Sequence, residues 1–279
     1  MGILASAGVE DAAIDAWLLA EFQLGINKQK FYMNTGMNIS QMQYDEYMEK
    51  VMWRSQRIPL QHITGTQEFM GMEFIVNEHV LIPRQDTELL VEKAIIAANE
   101  LKQHEGNANK KIKILDMCTG SGCIAISLAK LCENVQVTAV DISDNALMVA
   151  RENANKHELT DKITFVQSDL FENINDKYDL IVSNPPYIPT KVIRELEEEV
   201  KTHEPMIALD GNEDGLDFYN KITAQAMDYL EDCSFIIYEI GYDQGEEVSS
   251  MLRNIYPCVK VYKDLAGNDR VVVSGKEEL

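Results

Sequence analysis

From residue 112 onward, short apolar runs alternate with stretches of helical period, and this constrains the fold more than any other feature. Residues 112–116, 135–140, 163–166, 178–182 and 234–240 read as strands. Residues 121–131, 143–157, 215–230 and 243–255 read as helices, with Ser143 at the cap of the second. Strict alternation of this kind predicts a parallel sheet covered by helices on both faces. The last two runs, 258–262 and 270–273, break the rule. Only Leu265-Ala266-Gly267-Asn268-Asp269 falls between them, too short for a crossover helix, so they must pair as an antiparallel hairpin. The expected fold is α/β, with a seven-strand mixed sheet.

The first eighty residues differ in kind. Ala13, Trp17, Ala20 and Leu24 recur at helical spacing within 9–24. Ser40 with Gln43 forms a capping box, followed by Tyr44, Tyr47, Met48, Val51 and Met52 as an apolar stripe. A small helical bundle is predicted up to Pro59. Thr64-Gly65-Thr66 and Met70-Gly71-Met72 then punctuate short runs that suggest a β-hairpin connector. A capped helix follows, with Asp86 or Thr87 at its N-cap and Leu90, Val91, Ala94, Ile95, Ala98 and Leu101 on one face. Residues 104–111 read as a surface loop, and the run Glu195, Glu197, Glu198 and Glu199 as a solvated helix face. The expected domains are 1–58, helical; 59–82, the connector; and 83–279, the α/β domain.

Composition narrows the partners. Across 279 residues, Lys+Arg 25 against Asp+Glu 46 gives a net charge of −21. That balance opposes a generic binder of phosphate backbones and favours cationic or neutral partners. No run approaches a membrane span, and the start of the chain, with Glu10 and Asp11 close behind, does not resemble a signal peptide. The five cysteines form no C-x-x-C pair and the five histidines no metal-binding spacing. Reduced, mostly buried thiols, a cytoplasmic location, a monomer and no metal are expected.

In an open α/β sheet, ligands bind beyond the carboxyl ends of the strands. After the first strand comes Asp116-Met117-Cys118-Thr119-Gly120-Ser121-Gly122-Cys123. Its glycines allow a tight turn and close approach of a ligand beside a helix N-terminus, although Gly120-x-Gly122-x-x-Ala125 also fits a dinucleotide fingerprint. After the second comes Asp141, suited to the two hydroxyls of a ribose in either type of cofactor, or else a cap for the next helix. Asp169 and Leu170 follow the third, placed to receive an amino group and cover a ring. The fourth runs into Asn184-Pro185-Pro186-Tyr187. Two prolines cannot continue a ladder, and Pro185 holds Asn184 extended. The result is a rigid projection whose Asn184 oxygen and Pro185 carbonyl can accept the two hydrogens of a planar NH2 group, with the Tyr187 ring beside it. Such acceptors favour a transition state in which that nitrogen becomes positive.

The glycine loop, Asp141 and Asn184 to Tyr187 resemble a class I S-adenosylmethionine-dependent methyltransferase of the amino-nitrogen type. Further segments resemble the release-factor glutamine methyltransferase family. They are Pro59 to Gly65, Glu68-Phe69-x-Gly71, Val80 to Glu88, Asn184 to Pro189, Glu204-Pro205 with Ala208-Leu209, and Glu213 to Leu216. Tyr238 to Gly241 and Asp264 to Arg270 complete the set. The resemblance implies transfer of a methyl group from S-adenosylmethionine to the side-chain amide nitrogen of the glutamine in the Gly-Gly-Gln loop of peptide chain release factors. It implies cofactor contacts at Cys118, Thr119, Gly120, Ser121, Gly122, Asp141, Asp169, Leu170 and Asn184, and a substrate loop at Asn184, Pro185, Pro186 and Tyr187. Two positions depart from the family pattern: Cys118 stands where a glycine is common, and Gln85 where a proline is; the segment Arg84 to Glu88 is read either as a border of the cofactor or substrate mouth or as a plain N-cap. The rivals are a ribosomal-protein glutamine methyltransferase, an N6-adenine nucleic-acid methyltransferase, a nicotinamide oxidoreductase and a non-catalytic adaptor of the same fold. The charge of −21 opposes the nucleic-acid enzyme, and the oxidoreductase leaves Asn184 to Tyr187 unexplained.

Overall fold

The computed structural model describes residues 1–33, 38–103, 110–277 and 279. The loop expected at 104–111 lies almost wholly outside them. The chain divides into two compact units, Met1–Thr66 with Leu196–His203, and Gln67–Glu195 with Glu204–Leu279.

In the first unit, helices cover Gly2–Ser6, Ala12–Leu24, Lys28–Met33, Gln41–Ser55 and Leu60–Thr64. The capping box forms: Ser40 Oγ accepts from the Gln43 N–H at 3.2 Å, and Gln43 Oε1 accepts from the Ser40 N–H at 3.0 Å. The buried face of Ala12–Leu24 is Ala12, Asp15, Ala16 and Leu19, not the expected Ala13, Trp17, Ala20 and Leu24. Apolar residues surround this helix, so periodicity alone could not choose its inner face. Likewise Tyr44 and Met52 face outward, while Val51 joins Leu4, Leu19 and Ile63 in the core. Arg54 is buried and binds Asp15 at 2.6 Å and Glu199 at 2.8 Å. Arg57 reaches the same Glu199 carboxylate at 3.0 Å. The acidic run is thus not a purely solvated face: Glu199 is an anchor for two guanidinium groups.

In the second unit, β1 (Thr66–Phe69) and β2 (Met72–Ile75) form a two-stranded hairpin. Met70 and Gly71 both take positive φ, the tight turn that suits a hairpin's twist. The main sheet is built from β3 (Ile112–Met117), β4 (Val135–Asp141), β5 (Ile163–Gln167), β6 (Tyr178–Ser183), β7 (Leu230–Glu239), β8 (Cys258–Lys263) and β9 (Asp269–Gly275). Their order is β5-β4-β3-β6-β7-β9-β8. β3 to β7 pair in parallel, while β9 runs antiparallel to both neighbours and lies between β7 and β8. The expected hairpin therefore inserts its last strand into the sheet.

The continuous apolar runs follow from burial on both faces. Ile112, Ile114, Leu180, Val182 and Ile237 enter one core; Leu115, Met117, Ile181, Ile236 and Tyr238 enter the other. Helix Cys123–Leu131 is buried from Cys123 to Ala129. Cysteine burial is less complete than expected: Cys123 and Cys132 are buried, but Cys233 is exposed. Among the described residues, no helix is long and apolar enough to cross a membrane.

Candidate active site

The carboxyl ends of β3, β4, β5 and β6 open into one cavity in the second unit. Its first wall is the turn after β3. Cys118 (φ 63°), Gly120 (φ 54°) and Gly122 (φ 79°) all lie in the left-handed region. The substitution at Cys118 therefore preserves the backbone shape that glycine commonly supplies, at a conformational cost. Gly122 is needed for packing as well, since a Cβ there would lie 3.0 Å from that of Ala150.

Asp116, near the end of β3, does not line the cavity. It is fully buried, and its Oδ2 accepts from the Thr119 hydroxyl at 2.5 Å and the Ala125 N–H at 3.1 Å, while Oδ1 has no partner among the described residues. Burial pushes this carboxyl up to about 7, against those two hydrogen bonds. Asp141, at the end of β4, accepts from the Gly120 and Ser143 N–H groups, each at 2.9 Å. Each oxygen retains a further lone pair. Burial raises this carboxyl too. Asp141 is not the helix cap: Ser143 is, its hydroxyl accepting from the Ala146 N–H at 3.2 Å.

Beyond β5, Asp169 is exposed and Leu170, at φ 49°, is buried, both on the cavity wall. Asn184 and Pro186 supply the wall after β6, together with Cys118, Thr119, Gly120, Ser121 and Asp141. Gly122, Pro185 and Tyr187 do not line the cavity. Tyr187 instead sends its hydroxyl 3.4 Å to Glu239 Oε1, and its ring packs on the second core.

The Asn184 loop is held from several directions. The Asn184 amide donates to Thr87 Oγ1 at 3.3 Å. Gln244, buried after β7, donates through Nε2 to the Tyr187 carbonyl at 3.0 Å and the Gly215 carbonyl at 3.2 Å. A Cβ on Gly215 would lie 2.3 Å from the Tyr187 oxygen, so the residue there must be glycine. Glu239, at the end of β7, is 1% exposed. Burial pushes its carboxyl up to about 7, while the Thr87 hydroxyl and the Arg270 guanidinium draw it down.

Sequence reasoning missed several of these groups. Asn153, inside helix Asp144–Lys156, accepts from the Ile75 N–H at 2.7 Å and donates to the Ser121 carbonyl at 2.9 Å, tying β2 to the glycine turn. Ile207, Phe218 and Lys221 line the cavity too; Arg84 and Thr87 also line it, in line with the reading of Arg84 to Glu88 as a border of the mouth. Neither Asp86 nor Thr87 is the expected cap. A 3-10 turn, Gln85–Thr87, enters the helix without a side-chain cap, Asp86 lies 3.4 Å from Arg270, and Thr87 faces Asn184. The only sequence signal for Glu239, Gln244 and Gly215 is their position in or near the quoted segments after the strands.

This sheet order, with a glycine turn after β3, an acid after β4 and Asn-Pro-Pro-Tyr after β6, defines a class I methyltransferase. The chain belongs to the release factor glutamine methyltransferase family. It is 40% identical to the release factor glutamine methyltransferase of Geobacter sulfurreducens over 97% of this chain and 92% of that one. It is also 40% identical to that of Clostridium botulinum, over 99% and 96%. Residues 2–65 match the PrmC N-terminal domain and residues 94–204 the methyltransferase small domain. Among solved structures, the hMettl16 catalytic domain in complex with a MAT2A 3′UTR hairpin is 17% identical over 80% of this chain and 81% of that one. Its TM-score is 0.59, a likeness of fold alone.

Proposed function

We propose that this chain methylates the side-chain amide nitrogen of the glutamine in the Gly-Gly-Gln loop of a peptide chain release factor, using S-adenosylmethionine. The observation that carries the proposal is the Asn184 amide. Its NH2 is tied to Thr87, which leaves the amide oxygen as the acceptor, and the residue lines the cavity. The relatives' names supply the substrate.

The cavity suits the cofactor on its own chemistry. Asp141, on the cavity wall, keeps free lone pairs for the ribose hydroxyls. We assign the backbone of Cys118 to Ser121 to the remainder of the cofactor, and Asp169 with Leu170 to its adenine side. Asp141 and Asp169 line this end and give it an acidic character that favours a cationic ligand. When bound, S-adenosylmethionine supplies a methyl group on a positively charged sulfur that leaves as a neutral thioether.

An amide nitrogen is a poor nucleophile because its lone pair is delocalised. Asn184 Oδ1, on the cavity wall, accepts one of its hydrogens and stabilises the positive charge that nitrogen gains as the new bond forms; Pro185, which does not line the cavity, stiffens the loop. One hydrogen then leaves as a proton to water. The remaining contribution is alignment, since an activated methyl group needs no protein nucleophile. Tyr187 holds the loop through Glu239 rather than the substrate. The helical unit, with Phe22, Phe31 and Tyr32 exposed, is assigned to gripping the protein substrate away from the glutamine. A cytoplasmic location belongs to the same proposal.

The test is incubation with labelled S-adenosylmethionine and, separately, release factor, ribosomal protein and DNA, with the labelled residue located by mass spectrometry. Label on the Gly-Gly-Gln glutamine is expected. Label on the ribosomal protein or DNA alone, or no transfer at all, overturns the proposal.

A further inference from the structure

Helix Asp144–Lys156 supports two walls of the cavity at once. Ala150 packs against the glycine turn, where a Cβ on Gly122 would lie 3.0 Å from its own. Ala146 and Val149 pack with Val76 and Val80 in a small buried cluster. The segment that carries those two valines continues from β2, and its residues His79, Val80, Leu81, Pro83 and Arg84 line the cavity. The last turn of the helix also holds β2, through Lys156 and Glu73 at 2.6 Å.

The two walls meet at Asn153. It is 0% exposed and does not itself line the cavity. Its Oδ1 accepts from the Ile75 N–H at 2.7 Å, and its Nδ2 donates to the Ile75 carbonyl at 3.0 Å and to the Ser121 carbonyl at 2.9 Å. A backbone N–H only donates and a carbonyl only accepts, so this spot demands one acceptor and two donors. A side-chain amide supplies all three, and in one orientation only. Ser121 lines the cavity and Ile75 does not, so the Asn153 amide joins a residue of the ligand wall to a strand outside it.

We infer that Asn153 is a positioning residue that couples the glycine turn to β2 and to the cavity wall that follows β2. It holds the two walls at one separation, so a ligand that orders the turn also stiffens the strand. The inference rests on the assignment of this cavity to S-adenosylmethionine and goes beyond it by naming the group through which both walls respond as one. Asn153 touches no reacting atom. Its influence therefore falls on cofactor affinity and spares turnover at saturation.

The experiment compares the full-length parent with Asn153→Ala, Asn153→Asp and Leu252→Ala, using S-adenosylhomocysteine as the probe. Leu252 is buried on helix Gly245–Leu252 and does not line the cavity, so its truncation controls for lost stability. Calorimetry gives Kd, steady-state kinetics give kcat at saturating S-adenosylmethionine, and thermal unfolding gives Tm. Hydrogen–deuterium exchange gives the protection that the probe confers on each segment. In the parent, the probe should slow exchange at Ile75 as well as at residues 119–121. Asn153→Ala and Asn153→Asp should each raise Kd about tenfold, the scale of lost buried hydrogen bonds, with kcat within about twofold of the parent. In both, protection by the probe should no longer reach Ile75. Asn153→Asp keeps the shape and the acceptor for the Ile75 N–H but loses both donors, so it cuts the link to Ser121 and spares one bond to β2. Leu252→Ala should lower Tm yet keep the parental Kd and the parental pattern of protection. Parental Kd in Asn153→Ala overturns the inference, as does an equal rise in Leu252→Ala, a loss that appears in kcat instead of Kd, or undiminished protection of Ile75. If Asn153→Asp does not fold, Asn153→Ala decides by the same readings. A parent that does not bind the probe overturns the cofactor assignment and the inference with it. A parent that binds the probe without protecting Ile75 overturns the coupling alone.

Discussion

The turn after β3 takes its shape from consecutive residues, with Cys118, Gly120 and Gly122 all left-handed between the strand and the helix it feeds. The loop after β6 is short and stiff by its prolines, but its orientation comes from Thr87, Glu239 and Gln244, which are 97, 52 and 57 positions from the residues they hold. One side of the cavity is a local backbone device and the other a tertiary one. The difference suits their tasks. In the proposed function the cofactor is grasped by backbone amides, which a turn provides by itself, and by one carboxylate from the end of β4. An amide acceptor must point one way only, and hydrogen-bond direction can be imposed only by side chains from elsewhere.

Asn184→Ala is the strongest challenge to this contrast. Turnover should fall by about 10² or more while affinity for S-adenosylmethionine stays near the parental value, measured by single-turnover kinetics and calorimetry. Asp141→Ala should do the reverse. Affinity for the cofactor should fall about 10- to 100-fold, on the scale of hydrogen bonds to a charged group, with a much smaller loss of kcat at saturation. If both variants lose the same quantity, the two sides are not functionally separate.

The two buried acids extend the comparison to stability. Asp116 on the cofactor side and Glu239 on the substrate side are each pushed up to about 7 by burial. Unfolded carboxyls titrate near ~4. Between about 4 and 7 the folded chain therefore holds protons that the unfolded chain has lost, so stability should fall as pH rises across that window and level off above it. Urea unfolding as a function of pH should show this slope, reduced in Asp116→Asn. A slope of the opposite sign would mean that Asp116 is charged in the folded protein. The smallest effect belongs to Cys118→Gly. Relief of a left-handed non-glycine residue, offset by the entropy of an added glycine, should stabilise by up to about 1 kcal/mol in thermal unfolding.

Much of this architecture was legible because its signals are local. Apolar runs mark strands buried on both faces, a five-residue gap forces an antiparallel hairpin, Ser40 with Gln43 caps a helix, and two prolines end β6. The inner face of Ala12–Leu24 was not legible, because apolar residues surround the helix and the partner surface makes the choice. Nor was the use of Thr87, whose local pattern suggests a cap but whose hydroxyl serves Asn184.

By itself the sequence determined the order of elements, the turn chemistry after β3, the placement of Asp141 and Asn184 at strand ends, and the charge of −21. These depend on dihedral preferences and burial periods that neighbouring residues impose. The tertiary structure alone decided that Thr87 serves Asn184 instead of capping a helix, that Tyr187 turns to Glu239, and which way the Asn184 amide points. The reason is physical: hydrogen bonds are directional over about 3 Å, and no sequence spacing specifies which distant donor arrives at that distance.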